Sequence, residues 1–489
     1  MALNYLASIS RYVPELLSVV IMVGLIFIEA CYDREEKKKP FFYLAAFFGL
    51  TFVFVNLAAD LSKPATMIFT GSMTIDPFST LSKMLMVLGT MGAIYLSKES
   101  KDIYDNLKSE FAIMAVGVMI GGMILASANN LLMVYIGIET LSILSYALAS
   151  FKKNEERSSE AGLKYSLYGG ISSGIMLFGM SHIFGVFGSI QFADIIAGLN
   201  GLSTAQLAVL LPSFIMFFAG IGYKIACVPF HMWAPDVYEG SPLPVTTFFS
   251  IVPKVAGLAI LLRVTMTFFG QEGALQVTWV GALSVISALT MTVGNVSAIG
   301  QRSVKRMLAY SSISHAGMMM MGVVVINELG TRSILFYAIT YLFMTLVAFY
   351  VTSFVADKYG NDHFERFSGL IKRYPLMAIM MTVVMFSLAG MPPLSGFVAK
   401  FNILGALLSE KHYMLALIAV LNSVVSLYYY MKIIRLMVLK DVESMEPIIG
   451  FGVMNQSIIL VLTVPVLALG LFWSGIMRLT EGASIFLGP

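Results

Sequence analysis

The chain has 489 residues, of which 58% are hydrophobic and only 12% are charged, and its mean hydropathy is +0.84. This apolar share is well above that of a soluble domain, so the composition predicts a protein that crosses a membrane many times. The net charge of +3 gives no support for an acidic partner such as nucleic acid. The two cysteines, Cys31 and Cys227, form no metal-ligand spacing, and CxxC and GxGxxG motifs are absent from the sequence.

Apolar stretches of about the length that a spanning helix needs, roughly 20 residues, follow one another along the chain, and about fourteen can be distinguished. The first lacks a basic segment before it, which favours a retained span over a cleaved signal peptide. The sequence therefore predicts an all-α polytopic membrane protein with short loops. The predicted spans are 12–32, 41–59, 77–97, 111–127, 129–150, 163–188, 206–228, 244–269, 276–298, 304–326, 332–356, 375–407, 413–438 and 454–476.

The basic residues are concentrated in alternate loops. About 21 of the 31 lysines and arginines lie in the loops of one side, and about five lie on the other side. By the positive-inside rule the basic loops face the cytoplasm, and an even number of spans places both termini on the outer side of a bacterial plasma membrane. The basic loops are those around Arg34 to Lys39, Lys98 to Lys108, Lys152 to Lys164, Arg302 to Arg306, Lys358 to Arg373 and Lys432 to Lys440.

Two of the predicted spans carry helix-breaking residues. The seventh contains GYKIACVPFHMW, and the twelfth contains LAGMPPLSGFVAKF. Proline removes a backbone donor and clashes with the preceding turn, so both helices are predicted to break. Interrupted helices at corresponding places in two halves of a transporter indicate its ion site, because unwound backbone at membrane depth survives only beside protein or water.

Apart from the cations counted with the loops, about five lie inside predicted spans, where charge is costly enough to suggest a function. Lys83 and Arg263 lie nearer the ends of their spans, which favours a structural role with the side chains reaching the headgroups. The other three are Lys224, Lys254 and Lys400.

The spacing of these residues predicts an internal repeat. Lys224 and Lys400 are 400 − 224 = 176 residues apart, and the same shift moves Glu139 onto His315. Spans four to eight would then match spans nine to thirteen, and an odd number of spans inverts the second copy. Identity elsewhere at this offset is poor, so chance is the alternative. The predicted divisions are 1–110 (three N-terminal helices), 111–270 (first repeat), 271–440 (second repeat) and 441–489 (last helix).

Glu139 and Lys224 are candidates for a switchable pair. Glu139 is flanked by apolar residues on both sides, and an unpaired carboxylate there would hold a proton until a cation approached. Lys224 lies just before the predicted break, where freed carbonyls and water can solvate an ammonium. The alternatives are a neutral packing residue for Glu139 and, for Lys224, a side chain that reaches the interface.

Three further residues could continue the proton relay beyond Lys224. Lys254 follows Pro253 and either carries protons or is a structural ammonium bound to the carbonyls of that kink. His315 has Tyr310, Ser311, Ser312 and Ser314 as neighbours in sequence and either transfers protons or is a satisfied packing residue. Lys400 follows the second break and resembles Lys224 in position, with the interface again as the alternative.

The stretch His231 to Glu239 holds a histidine, an aspartate and a glutamate close together. It lacks a helical i, i+4 pair of metal ligands, so a metal site is disfavoured. We predict that it lies at the cytoplasmic turn as polar lining near the entrance or as loop structure.

Longer motifs carry a family resemblance. The segments GYKIACVPFHMWAPDVYEGSPLPVTTFFSIVPK, QRSVKRMLAYSSISHAG and AGMPPLSGFVAKF resemble the proton-conducting antiporter-like family over residues 110–440. Within that family they are most similar to the subunit N type of bacterial respiratory complex I. The chain stops about a dozen residues after its last span, whereas the family's larger subunit continues into a long lateral helix, so the larger type is disfavoured.

The resemblance implies two inverted five-helix repeats, each with a broken helix, in the membrane arm of a proton-pumping NADH:quinone oxidoreductase. It places the family's glutamate–lysine pair on Glu139 and Lys224, the central lysine on Lys254 and the terminal lysine on Lys400. It also implies that NADH, FMN, iron–sulfur clusters and quinone are bound by other subunits and that this chain holds none of them. The implied partners are the other membrane-arm subunits, including other antiporter-like subunits, and the lipid bilayer.

The sequence thus predicts a water-wired proton path that enters near Lys224, passes Lys254 and His315 and leaves near Lys400. Two other functions stay open. One is a subunit of a multisubunit cation/proton antiporter or of a related ferredoxin- or hydrogenase-linked complex, and the other is a membrane-arm subunit that binds its neighbours without conducting protons.

Overall fold

The structure is a computed structural model that describes residues 5–31, 35–199, 201–271, 273–440 and 452–484. In chain order its first ten helices are α1 (Tyr5–Arg11), α2 (Val13–Cys31), α3 (Glu35–Asp60), α4 (Pro77–Glu99), α5 (Lys108–Ser127), α6 (Leu131–Ala149), α7 (Glu156–Phe187), α8 (Phe192–Leu199), α9 (Thr204–Ile225) and α10 (Trp233–Gly240). The others are α11 (Leu243–Phe269), α12 (Ala274–Ile299), α13 (Val304–Val324), α14 (Glu328–Tyr359), α15 (Leu370–Arg373), α16 (Pro375–Ala389), α17 (Ser395–Ser409), α18 (Tyr413–Leu439), α19 (Val453–Leu471) and α20 (Ser474–Ala483). Two short antiparallel strands, β1 (Thr66–Ile68) and β2 (Met73–Ile75), lie between α3 and α4.

The predicted spans are confirmed. Among the described residues, 13 helices are long and apolar enough to cross a membrane, and each overlaps one predicted span. The remaining predicted span, 375–407, corresponds to the shorter apolar helices α16 and α17. The side chains of the predicted basic loop from Arg34 to Lys39 are outside the part of the chain that the structure describes. Residues 441–451, at the start of the predicted C-terminal segment, are also outside it.

Three helices form the centre of the molecule. The most apolar stretch of α11 is buried throughout, and 94% of the corresponding stretches of α13 and α14 is buried, against 22% for α2 and α19. Helices that are apolar on every side can either lie in the core or face lipid, so composition alone does not distinguish the two. Because Lys254 and His315 belong to α11 and α13, they lie in the protein interior, far from the lipid-facing surface.

Both predicted helix breaks are confirmed. Helix α9 ends at Ala226, which has a left-handed φ of 62°, and the next amide, Cys227 N–H, donates to the Gly222 carbonyl at 3.0 Å. Helix α16 ends in the same way at Gly390, whose φ is 89°. Hydrogen bonds of this kind, from backbone N–H groups just beyond the helix to carbonyls of its last turn, close a helix that cannot continue. The prolines that follow each end lack the N–H that a continuing helix needs.

The stretch His231 to Glu239 differs from its prediction as a turn or loop. Residues from Trp233 onwards form the short helix α10, and most of its apolar side chains are buried. This segment contains one proline, Pro235, a residue type that can break a helix. Pro235, however, lies in the first turn of the helix, where a proline does not disrupt any intrahelical hydrogen bond. The break in the seventh span is therefore a short connection between two helices.

The two helix breaks are separated by a different number of residues from the two lysines. The left-handed residues Ala226 and Gly390 are 390 − 226 = 164 residues apart, whereas Lys224 and Lys400 are 400 − 224 = 176 apart. Lys224 therefore precedes its break and Lys400 follows its break, so the two lysines are not equivalent in position, which corrects the earlier expectation. The inverted repeat and its boundaries remain a prediction.

We expect Gly396→Ala to lower the thermal stability of the detergent-solubilised protein, because the added methyl group would lie 1.8 Å from the Ser387 carbonyl oxygen across the second break. Overpacking of this kind costs about 1–3 kcal/mol. Gly405→Ala on the same helix is the matched control, since nothing lies within 4 Å of its added methyl group. Equal melting temperatures for the two variants would contradict close packing at the break.

Candidate functional site

Lys224 lies in the last turn of α9, two residues before the left-handed Ala226. Its side chain is buried, and its ammonium nitrogen has no hydrogen-bond partner among the described residues. Three aromatic rings surround this nitrogen instead, with centroids 5.0 to 5.5 Å away: those of Tyr146, Tyr165 and Tyr223. Lys224 thus points into the protein and not to the membrane interface.

Glu139 lies near the middle of α6. Its Oε1 is buried, and in the described part of the chain this atom has no hydrogen-bond partner. Glu139 is close enough to Lys224 for the two charges to interact. The structure therefore brings the two residues of the predicted pair into electrostatic range without a hydrogen bond between them.

Lys254 lies in the centre of α11, directly after Pro253. Its ammonium donates to the backbone carbonyl of Ser312 on α13 at 2.7 Å and also to the Ser312 hydroxyl. The Tyr341 hydroxyl of α14 donates to the same Ser312 hydroxyl at 2.9 Å. The ammonium is thus held by a neighbouring helix and not by carbonyls of its own kink, the alternative that the sequence left open.

His315 lies in the middle of α13, and both of its ring nitrogens have phenol partners. Nδ1 lies 2.6 Å from the Tyr337 hydroxyl of α14, and Nε2 lies 3.0 Å from the Tyr430 hydroxyl of α18. The Tyr430 hydroxyl also shares a hydrogen bond with Ser311. The partners of the ring thus come from two other helices, whereas the sequence suggested hydroxyls of its own helix.

Lys400 lies in α17, and its ammonium donates to the backbone carbonyl of Ala389 at 2.9 Å. That carbonyl lies at the end of α16, where the helix break leaves it without an intrahelical partner. The positive charges of Lys400 and Lys254 both act on His315. Lys400 is therefore buried at the second break and within reach of the central groups.

Tyr238 connects the two groups of polar residues. It belongs to α10, and it is close enough to interact with Ser312 and Tyr341 on one side and with Tyr165 on the other. Tyr165, Tyr238, Tyr337 and Tyr341 were not predicted from the sequence. The i, i+4 spacing of Tyr337 and Tyr341 on an apolar helix is the one signal that could have indicated that pair.

Lys83 and Arg263, predicted to be structural, are both buried in ion pairs. Lys83 lies 2.5 Å from Glu15 of α2. Arg263 makes a bidentate contact with Asp76, with distances of 3.0 and 3.1 Å, and Asp76 also caps the start of α4. The prediction that these cations reach the headgroups was wrong, because each has a carboxylate partner inside the protein.

The two carboxylates of α10 belong to a charged cluster. Asp236 accepts from Lys164 at 2.6 Å and from Arg306 at 3.1 Å, and Glu239 forms an ion pair with Arg306. A cavity of about 180 Å³ opens beside this cluster. Within the described residues, no group of three or more histidine, cysteine, aspartate or glutamate side chains could hold a metal ion. The cavity is lined by Arg157, Glu160, Ala161, Asp236, Glu239, Gly240 and Arg306.

Asp102, in the loop between α4 and α5, anchors the start of α11. It accepts from the backbone N–H of Leu243 at 2.7 Å and from the Lys152 ammonium at 2.5 Å. Burial opposes ionisation of its carboxyl, but the charges of Lys305 and Lys152 and these hydrogen bonds outweigh burial and lower its pKa. The loop carboxylate thus stays charged at neutral pH and holds the helix that carries Lys254.

The chain resembles proteins of known type over most of its length. Residues 128–426 match the family described as "NADH:quinone oxidoreductase/Mrp antiporter, TM". The chain is 38% identical over 492 residues to "NADH-quinone oxidoreductase subunit N 2" of Sorangium cellulosum (strain So ce56), which covers 96% of this chain and 96% of that protein.

Two solved structures are also similar. A chain of "Respiratory complex I from Thermus thermophilus with bound Aureothin" has a TM-score of 0.81 at 28% identity, covering 96% of this chain and 100% of that one. A chain of "Structure of Mrp complex from Dietzia sp. DQ12-45-1b" has a TM-score of 0.84 at 20% identity, over 97% of each chain, which shows a shared fold.

We expect Asp102→Asn to lower the melting temperature at pH 7, since it leaves the Lys305 and Lys152 charges without this partner, at a cost of about 1–3 kcal/mol. The native carboxyl has a lowered pKa, so its stabilising effect is complete above about pH 4 and is lost as the pH falls through the folded-state pKa. Melting temperatures of the two proteins should therefore differ by a constant amount from pH 7 to 5 and converge below about pH 4. The control is Glu155→Gln, because this exposed residue also pairs with Lys152. A larger effect for that variant would contradict the assignment.

Proposed function

Because the chain belongs to the NADH:quinone oxidoreductase/Mrp antiporter transmembrane family, we propose that it is subunit N of an NADH:quinone oxidoreductase, respiratory complex I. In this role it moves protons across the membrane while quinone is reduced elsewhere in the complex. The assignment to subunit N draws on the identity to relatives of that name over nearly the whole chain.

One observation carries the proposal of proton transfer. Lys254, Ser312 and Tyr341 form a continuous hydrogen-bonded group in the protein interior, and the Tyr341 ring lies 5.3 Å from that of His315. These side chains can each hold or pass a proton. Contact with lipid does not require such a buried polar chain, and burying polar groups costs stability. Their presence therefore supports a transport role.

The path runs from the α10 side to the second break. Protons enter through the charged cavity beside Asp236, reach Lys224 and Glu139, and pass Tyr238 to Lys254. They continue through His315 to Lys400, whose bond to the Ala389 carbonyl lies at the opening between α16 and α17. Exit is to the outer side of the membrane, where both termini also lie in this proposal.

The energy required is within the range of a buried charge pair. Moving one proton against 100 mV costs about 2.3 kcal/mol. Two unit charges about 4 Å apart interact by about 4 kcal/mol at an effective dielectric constant of about 20. Bringing Glu139 and Lys224 together or apart therefore changes the local energy enough to drive one proton over such a potential.

The same proposal assigns the redox chemistry to other subunits. NADH, FMN, iron–sulfur clusters and quinone are bound elsewhere, and this chain is the non-redox translocating part of the enzyme. Its partners are the neighbouring membrane-arm subunits, including other antiporter-like ones, and the lipid of a bacterial plasma membrane.

We expect Lys224→Ala and Lys400→Ala each to lower proton uptake by membrane vesicles that oxidise NADH by roughly tenfold or more. A loss of this size is expected when a positioned proton-transferring group is removed. Lys153→Ala, at an exposed lysine of the loop before α7, is the control and should pump normally. Proton uptake is measured with a pH-sensitive dye, and NADH oxidation and complex assembly are measured on the same membranes. Full pumping by both variants in a normally assembled complex would refute the proposed function.

A further inference from the structure

The environment of Lys224 differs from that of the other two buried lysines. Lys254 and Lys400 each donate a hydrogen bond to a backbone carbonyl, at 2.7 and 2.9 Å. The Lys224 ammonium has no such bond among the described residues, although its side chain is fully enclosed. A buried ammonium without a hydrogen-bond acceptor in the surrounding protein is destabilised, so its other contacts become important.

Three tyrosine rings provide that interaction. The ammonium nitrogen lies 5.0 Å from the ring centroid of Tyr223, 5.3 Å from that of Tyr165 and 5.5 Å from that of Tyr146. All three distances are within the roughly 6 Å at which an aromatic face attracts a cation, and the attraction is stronger where water is excluded. Ring faces therefore stabilise the charge of Lys224, whereas carbonyl oxygens stabilise the charges of Lys254 and Lys400.

The rings are held in place by contacts that do not involve the lysine. The Tyr223 hydroxyl donates to the Tyr165 carbonyl at 2.6 Å, and the Tyr165 ring stacks on Trp233 of α10 with a centroid distance of 4.4 Å. The Trp233 indole N–H in turn donates to the Tyr223 carbonyl at 3.0 Å. The rings are thus preorganised, and the arrangement is maintained by the helix that follows the first break.

Tyr146 is the ring that connects the lysine to its acidic partner. It lies seven residues after Glu139 on α6, two turns along the same face. Its hydroxyl packs so closely against Gly169 of α7 that an added methyl group there would lie 1.9 Å from the oxygen and 2.6 Å from the ring. One helix therefore carries both the carboxylate and a ring that faces the ammonium.

We propose that Tyr146, Tyr165 and Tyr223 form a cation–π cage that holds the protonated Lys224 while it is separated from Glu139. Within this cage, Tyr146 positions the Lys224 ammonium. This inference rests on the proposed function. The cage supplies a second resting place for the ammonium, so that the lysine can leave the carboxylate without losing its proton into an apolar interior. The proton then stays on Lys224 until it is passed towards Lys254.

The test compares ring and hydroxyl at position 146 in the assembled complex. We expect Tyr146→Leu, which removes the ring, to lower proton uptake per NADH oxidised by about threefold to tenfold. Tyr146→Phe, which keeps the ring, should restore most of it. Replacing Tyr146 with phenylalanines that carry one, two or three fluorines should lower pumping stepwise, because fluorine weakens the ring face at nearly constant shape.

Two further variants separate the cage from general packing. Gly169→Ala should reduce pumping as Tyr146→Leu does, because it displaces the Tyr146 ring from the lysine. Tyr168→Leu is the matched control, because Tyr168 is an exposed tyrosine of α7, the helix that carries Gly169, and this variant should pump normally. Complex assembly is measured for each variant on native gels.

The outcomes distinguish the two proposals. Normal pumping by both Lys224→Ala and Lys400→Ala refutes the proposed function, and normal pumping by Lys224→Ala alone overturns the cage. If Lys224→Ala stops pumping but the fluorinated series pumps equally well, the cage is overturned and the proposed function stands. The cage is also overturned if Tyr146→Phe is as impaired as Tyr146→Leu, since the hydroxyl near Ser142 and Tyr223 would then be the important group.

Discussion

The structure depends on one constraint: a charge at membrane depth needs polar or aromatic groups of the protein around it. The three central lysines meet it in three ways. Lys254 uses a carbonyl and a hydroxyl of a neighbouring helix, Lys400 uses a carbonyl that a helix break sets free, and Lys224 uses aromatic faces. The second helix break frees the carbonyl that Lys400 uses, and the packing of α11 beside α13 brings Ser312 to Lys254.

Four of the buried cations differ in the kind of partner that they contact. Lys83 and Arg263 each face a carboxylate at 2.5 to 3.1 Å, and removing either partner of such a pair leaves an uncompensated charge. These pairs hold helices together. Lys254 and Lys400 have neutral partners in the described contacts, which can solvate the ammonium without fixing its charge. Under the proposed function, the first two charges stabilise the fold, and Lys254 and Lys400 carry protons.

Helix α10 occupies the junction of these parts. One face carries Asp236 and Glu239 in the charged cluster, and the buried face carries Trp233 against the tyrosine rings. Tyr238, also on this helix, lies near Ser312 and so near Lys254. A short helix, made separate by the break before it, therefore contacts the charged cluster, the tyrosine rings around Lys224 and the central polar chain at the same time.

The sequence by itself determined the spans, the two breaks, the family and the depth of Glu139, Lys224, Lys254, His315 and Lys400. These follow from hydropathy, from proline chemistry and from local motifs, all of which act over neighbouring residues. Tertiary structure alone decided the partners: Tyr337 and Tyr430 at His315, Ser312 at Lys254, the tyrosine rings at Lys224 and the carboxylates at Lys83 and Arg263. The physical reason is that helices apolar on every side carry no pattern that fixes their rotation about the axis, so which side chains meet is settled only when the helices pack.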